Sequence, residues 1–213
     1  MKHFEEHTFD VIECRKEVLA FQALLAKHSD LTERQIRDFF RKHRHLSALC
    51  GLYNPAISRY DRIAWEYDLF GDFACDLAVG DSVKQAYCFF EYEDAGPKSL
   101  FVKEGKKSTL AWSPRFEHGY SQVVDWFYKL RDREKSDEFE ARFGSRSIDY
   151  MGVLIIGRNK YLHAQDRMRL DWRKRHVVVD SKRIICVTYD ELLDDLLYRV
   201  SNAPSGARAV QGE

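Results

Sequence analysis

An excess of either sign of charge is missing from this chain. Thirty-four Lys and Arg cancel thirty-four Asp and Glu, so net charge points to no polyanionic partner and only local clustering can. No C-x-x-C pair occurs. The five cysteines (Cys14, Cys50, Cys75, Cys88 and Cys186) are odd in number and mostly sit in apolar runs. That argues against a disulfide frame or a zinc ribbon and for reduced core thiols in a cytoplasmic protein. No apolar run approaches the roughly 18 residues of a membrane span, and MKHFEEHTFD is too polar and acidic for a signal peptide. The expectation is a soluble protein with no membrane partner. The eight histidines lack metal-ligand spacing. No phosphate-binding glycine loop follows a strand, since Gly157-Arg158 lacks the rest of one. There is no G-x-S-x-G elbow, and Cys88 has no obvious histidine partner, which removes the common nucleophilic hydrolases. Internal repeats and low-complexity tracts are absent too.

What is present is enough for one substantial core: 213 residues, 45% hydrophobic and 14% aromatic. Apolar residues at helical spacing (Val11, Cys14, Val18, Phe21, Leu25) predict a helix over 11–28. Asp30 followed by Glu33 has the form of a capping box for a second helix, LTERQIRDFFRKHRHLSAL. That helix carries Ile36, Phe39, Phe40 and Leu46 on one side and Arg34, Arg37, Arg41 and Lys42 on the other. Asn54–Pro55 marks a turn, so residues 1–55 read as an N-terminal helical region attached to a domain over 56–200. In that domain YDRIAWEYDLF is a short helix or an extended segment, and residues 103–109 are a polar loop. A long helix is predicted over 113–133 after Pro114, and a charged surface helix with a loop comes after it. YMGVLIIG (150–157), HVVVD (176–180) and RIICVTYD (183–190) read as strands buried on both faces. Thr188 with Glu191 opens a last helix. The tail over 201–213 is small and polar and is expected to be disordered. This order of elements predicts an α/β domain, a mixed central sheet flanked by helices.

Two acidic segments, GDFACDLAVGD (71–81) and AYCFFEYEDA (86–95), are joined by a short polar turn. Residues two apart share a strand face. Asp72, Ala74, Asp76 and Ala78 therefore lie on one side of the first strand, and Phe89, Glu91 and Glu93 share a side of the second. A turn centred near Ser82–Val83 would set Asp76 two residues from the position opposite Glu91, with Asp72 nearly opposite Glu93. Four carboxylates gathered among apolar neighbours repel one another and are costly to desolvate. A hard cation such as Mg²⁺ would relieve both problems. The alternative is a solvent-facing hairpin whose outward acids touch nothing. The helix over 113–131 offers cover for the acidic face, with His118, Gln122, Asp125 and Lys129 at helical spacing and Trp126 beside them. A glutamine there can orient a phosphate or a water; an ordinary amphipathic helix would look the same.

The series Glu66, Asp76 on a strand, Glu91-x-Glu93 on the next, then a helix with Gln122-x-x-x-Trp126 resembles the PD-(D/E)XK nuclease core, whose RecB-like branch has a Gln-x-x-x-Tyr helix at this point. The segments GDFACDLAVGD, FFEYEDA, WSPRFEHGYSQVVDWFYKL, GVLIIGR and ICVTYDELL, in this order over about residues 55–200, are similar to the Shedu anti-phage nuclease family. The resemblance implies a PD-(D/E)XK nuclease-like mixed sheet flanked by helices, with the N-terminal helices as an appendage. It also implies a DNA endonuclease of bacterial defence that uses Mg²⁺ or Mn²⁺, usually as a homo-oligomer. Carried over by position, Asp76 and Glu91 are metal ligands, Gln122 is the helix glutamine and Glu66 an accessory acid, with Asp72 an alternative to Asp76. One position departs from the pattern: Glu93 stands where the motif has a lysine. Glu93 would then bind a second metal ion, or Lys98 or Lys129 would stand in for the lysine. Failing both, the fold would bind or sense nucleic acid without cutting it. At the aromatic position, Trp126 has an indole N–H that donates but cannot accept. A third reading is an interaction protein assembling through residues 1–55.

The stretch 158–175 holds seven Arg and Lys against two Asp. Arg158, Lys160, Arg167, Arg169, Arg173, Lys174 and Arg175 read as a phosphate-contacting surface for DNA, with Trp172 and Tyr161 able to stack on bases or cover the core. A solvated crossover helix fits equally. The basic face over Arg34–Arg44 is a second candidate.

Overall fold

The structure is a computed structural model and describes residues 3–202. The expected disordered tail from residue 203 onward lies outside the described residues. A short strand, β1 (Glu5–Glu6), precedes three helices: α1 (Val11–Lys27), α2 (Glu33–Lys42) and α3 (Arg44–Leu49). Next come β2 (Arg62–Leu69), β3 (Phe73–Asp81), β4 (Ala86–Tyr92) and a small two-stranded ribbon, β5 (Phe101–Val102) with β6 (Ala111–Trp112). Helices α4 (Pro114–Arg133) and α5 (Asp137–Phe143) lead to β7 (Asp149–Ile155). The chain continues through α6 (Ala164–His176), β8 (Val178–Val179), β9 (Lys182–Arg183), β10 (Ile185–Val187) and α7 (Tyr189–Ser201).

The central sheet is mixed, with strand order β1-β2-β3-β4-β7-β10. Its first four strands are antiparallel neighbours, and β7 and β10 add on parallel. YDRIAWEYDLF is thus a strand. The helices from the N-terminal region lie against the sheet, not apart from it. Phe21, Phe40 and Leu46 share a core with Tyr92, Val153 and Tyr189, and Phe40 stacks on Tyr92 at 4.7 Å between ring centroids. The opposite face buries Phe89 under Phe116, Val123, Trp126, Phe127 and Phe139. Helix α5, expected at the surface, therefore contributes Phe139 and Phe143 to this second core. Burial of such side chains, each worth about 1.5–3 kcal/mol, holds the two helical layers on the sheet.

Local features fix where α2 and α4 sit on the sheet. The cap of α2 is Thr32 with Gln35, not Asp30 with Glu33, which leaves the Glu33 side chain available for other partners. At Gly152, a Cβ would come within 2.3 Å of Val123, so only glycine lets α4 settle this closely on β7. At Gly119, a Cβ would meet Leu154 at 2.8 Å and Glu93 at 3.2 Å, so α4 also rests against the end of β4. HVVVD is not a strand buried on both faces. After α6, Asp180 and Ser181 both adopt positive φ, the requirement of a tight two-residue hairpin turn. The hairpin leaves Val178 exposed and pairs β8 only with β9.

Candidate active site

The hairpin between β3 and β4 is wider than the sequence suggests. Asp81 pairs with Ala86 and Leu77 with Phe90, so one further step along the ladder sets Asp76 directly opposite Glu91. Asp81 itself causes the shift: its carboxylate accepts from the backbone N–H of Val83, Lys84, Ser58 and Arg59. That bonding opens the turn to four residues, and Gln85 closes it at positive φ. Beyond Leu77 and Phe90 the two strands part. The Tyr92 N–H donates to Asp76 Oδ2 at 2.9 Å, so a side chain takes the place of the backbone ladder there.

The neighbouring strand breaks its alternation at the same level. Trp65 and Leu77 pair and pack in one core, while Tyr67 and Cys75 pair and pack in the other. The slip between them falls on Glu66, which has φ 48°, and on Asp76 across from it. Strand alternation read as strict across this point could not place either residue.

Where the strands part, a cavity of about 530 Å³ opens between α2 and α4. Helix α2 contributes Glu33 and Arg37, β2 contributes Glu66, and β3 contributes Asp76. Glu91 and Glu93 come from β4 and its continuation, while Arg115, His118 and Gln122 form one stripe on α4. Ser113 caps that helix by accepting from the Phe116 N–H, with Pro114 at its first position.

Burial sets the electrostatics. Glu91 is 8% exposed. Its carboxyl is pushed up to about 9, first by desolvation and then by the charges of Asp76, Glu93 and Glu33, with Arg37 opposing. Desolvation also raises Asp76, to about 6, against the Tyr92 N–H and Arg37. Glu93, 2% exposed, is raised by burial and held back by Arg115. The Arg115 guanidinium donates to Glu93 Oε2 at 2.7 Å and pairs with Asp94 at 3.2 Å. Gln122 Oε1 is buried and accepts no hydrogen bond among the described residues. These groups form an oxygen-rich hollow whose carboxylates are only partly compensated. Among the described residues, no three His, Cys, Asp or Glu side chains are grouped as they stand to hold a metal ion.

The cavity thus gathers Glu66, Asp76, Glu91, Glu93 and Gln122. Asp72 does not join them. Its carboxylate pairs with Lys129 further along α4, because the widened turn moves it away from Glu93. That pair also takes Lys129 out of consideration as the stand-in lysine, and exposed Lys98 does not line the cavity. Three members of the cavity are not assigned to it by the sequence: Glu33, read there as a capping residue, Arg37, read as part of a basic helix face, and Arg115. Of these, Arg115 alone has a local signal that points to this cavity, since it extends the His118–Gln122 stripe by one turn.

The basic stretch is mostly committed within the fold. Arg158, 6% exposed, pairs with Asp190 at 2.9 Å and donates to the carbonyls of Leu25 and His28. Arg173 grips Glu117 with both terminal nitrogens and lies over Tyr120 and Phe116. Arg169 donates to the Leu110 carbonyl and covers Phe101, and Lys174 pairs with Glu191. Tyr161 OH is spent on the Ser29 carbonyl. Lys160, Arg167 and Arg175 are exposed, with Arg167 donating to the Asn159 carbonyl. Trp172 stands 61% exposed. Among the described residues no helix is long and apolar enough to cross a membrane.

No curated protein matches the chain. The family model for "Shedu protein SduA, C-terminal" matches residues 30–193, which include every side chain of the cavity. The chain therefore belongs to the Shedu SduA C-terminal family, a family associated with defence.

Proposed function

We propose that the chain is a divalent-metal-dependent DNA endonuclease, acting on foreign DNA in bacterial defence. One observation carries this reading: Asp76 and Glu91 stand opposite each other where two strands part, in a cavity that also receives the orphaned Gln122 Oε1. Two carboxylates and an amide oxygen are hard donors, and a raised Glu91 marks a place where positive charge is wanted. The residues fit Mg²⁺ or Mn²⁺, and Asp76, Glu91 and the Gln122 oxygen would hold it, with Glu66 in reserve beside Arg37. When bound, such an ion polarises a phosphate and lowers the pKa of a water.

The protein's own groups supply the rest. The Tyr92 N–H fixes the rotamer of Asp76. Gln122 sits where it can orient a phosphate oxygen or the attacking water. Arg115, held by Glu93, brings to the motif-lysine position the positive charge that Glu93 lacks, and a guanidinium there stabilises charge developing on phosphate oxygens. Glu93 thus anchors a cation instead of being one.

The test is cleavage of linear, nicked and supercoiled DNA across several divalent ions. Asp76→Ala and Glu91→Ala are expected to abolish cleavage while circular dichroism shows the fold retained. Unchanged cleavage by both variants would contradict the assignment. A second reading, a fold that binds nucleic acid without cutting it, is favoured by the Glu93–Arg115 pair, which occupies the guanidinium. It is distinguished by divalent-independent DNA binding with no cleavage under any ion.

A further inference from the structure

Arg37, like Arg115 on the other side of the cavity, meets three carboxylates. It reaches in from α2, and each of its three side-chain nitrogens meets a different carboxylate. Nε lies 2.9 Å from Asp76 Oδ1, Nη2 lies 2.8 Å from Glu66 Oε1, and Nη1 lies 3.3 Å from Glu33 Oε1. With the Tyr92 N–H on Oδ2, both oxygens of Asp76 are engaged, one of them by a positive charge. Glu91 has no such pair among the described residues, and the charge of Arg37 opposes the rise of its carboxyl as well.

The helix that carries Arg37 is fixed to the sheet. The Leu31 carbonyl accepts from the Ala95 N–H at 2.8 Å just before α2 starts, and Phe40 stacks on Tyr92 a turn after Arg37. Withdrawal of the guanidinium therefore requires only side-chain rotation, not movement of the helix. Arg41, 3.4 Å from Glu66, would keep that carboxylate paired once Arg37 had left.

We infer that Arg37 is the resident cation of the acidic site, holding Asp76 in place of a divalent ion, so that metal entry requires Arg37 to release Asp76. The N-terminal helices, through Arg37, then set the concentration of divalent ion at which the site fills. This rests on the metal-site reading of the same cavity and goes beyond it by naming the group the ion must displace. A cation and a guanidinium cannot share one carboxylate oxygen without mutual repulsion, and the Arg37 guanidinium, about a third exposed beside a largely buried Asp76, has solvent on one side into which it can withdraw.

Titration of the metal-free full chain with Mn²⁺, read by calorimetry and by the shift in melting temperature, tests this without reference to cleavage. Arg37→Gln is expected to bind Mn²⁺ on the order of tenfold more tightly than wild type, the factor that about 1.4 kcal/mol of lost competition for Asp76 gives. Arg37→Lys, which retains the charge but cannot span three carboxylates, is expected to gain less and guards against a misfolded first variant. Arg41→Gln should leave Mn²⁺ affinity near that of wild type. Equal or weaker Mn²⁺ binding by both Arg37 variants overturns the inference while leaving the metal site standing. Mn²⁺ binding by neither wild type nor variants overturns both.

Discussion

Two charged regions of this molecule, the basic stretch around α6 and the acidic cavity, are built in opposite ways. In the basic stretch around α6, Arg158, Arg169, Arg173 and Lys174 each have a carboxylate partner, and several also lie over an aromatic ring or donate to a carbonyl. In and beside the acidic cavity, five carboxylates (Glu33, Glu66, Asp76, Glu93 and Asp94) meet three guanidinium groups (Arg37, Arg41 and Arg115), and a sixth, Glu91, meets none. Glu91 is left buried and uncompensated. Compensated charge holds a fold together; uncompensated buried charge lowers stability and persists where something must bind. A count of charges along the sequence shows both regions and cannot tell them apart.

This contrast can be broken at several points. The largest effect on stability is expected from Arg158→Ala, which strands Asp190 and two backbone carbonyls. Chemical denaturation should show a loss of about 3 kcal/mol, in the range for removing one member of a buried pair. A loss below about 1 kcal/mol would place Arg158 with the surface charges. Next comes Glu91→Gln, with the opposite sign. The folded-state pKa of Glu91 lies above its unfolded value, so the folded protein retains a proton that the unfolded chain has lost between about pH 4.5 and about pH 9. Stability contributed at this site therefore falls as pH rises through that window. Glu91→Gln removes the fall. It should raise stability by up to about 3 kcal/mol at pH 7 and by almost nothing below pH 4.5. A variant less stable than wild type at pH 8 would show that Glu91 is compensated after all.

Smaller effects sharpen the other side. Arg173→Ala removes a bidentate pair and a guanidinium lying over aromatic rings, and about 1–2 kcal/mol should be lost on denaturation. Its effect on DNA affinity should be no larger than that of a neutral surface change. A reduced salt dependence of DNA binding in this variant would return Arg173 to the phosphate-contacting surface. Trp172→Ala, at an exposed position, should change stability by less than about 0.5 kcal/mol.

What can be read from the sequence depends on the range of the interaction. The helix start at Ser113–Pro114, the Thr188–Glu191 capping box and the two-face burial of 150–157 are local, and they stand as expected. The partnership of Asp76, Glu91 and Gln122 is legible because two strands and a helix in succession must pack together. The register is not, because it depends on Asp81 holding a four-residue turn through bonds to Ser58 and Arg59, more than twenty residues away. Asp72 is displaced by the same shift. The nature of β2 is obscured at Glu66, where positive φ breaks the alternation that identifies a strand. Arg37 stands in plain view on a basic helix face, but that α2 lays it across Asp76 is a tertiary fact with no periodic signature.

The central claim is that Glu91 is held at a cost because a cation belongs beside it. Melting temperature with and without millimolar Mn²⁺, measured on wild type and on Glu91→Gln, tests it most directly. Wild type should start lower and rise by several degrees with the ion, as ligand linkage requires. Glu91→Gln should start higher and stay where it is. Equal shifts in the two proteins, or a wild type that Mn²⁺ leaves unmoved, would contradict it.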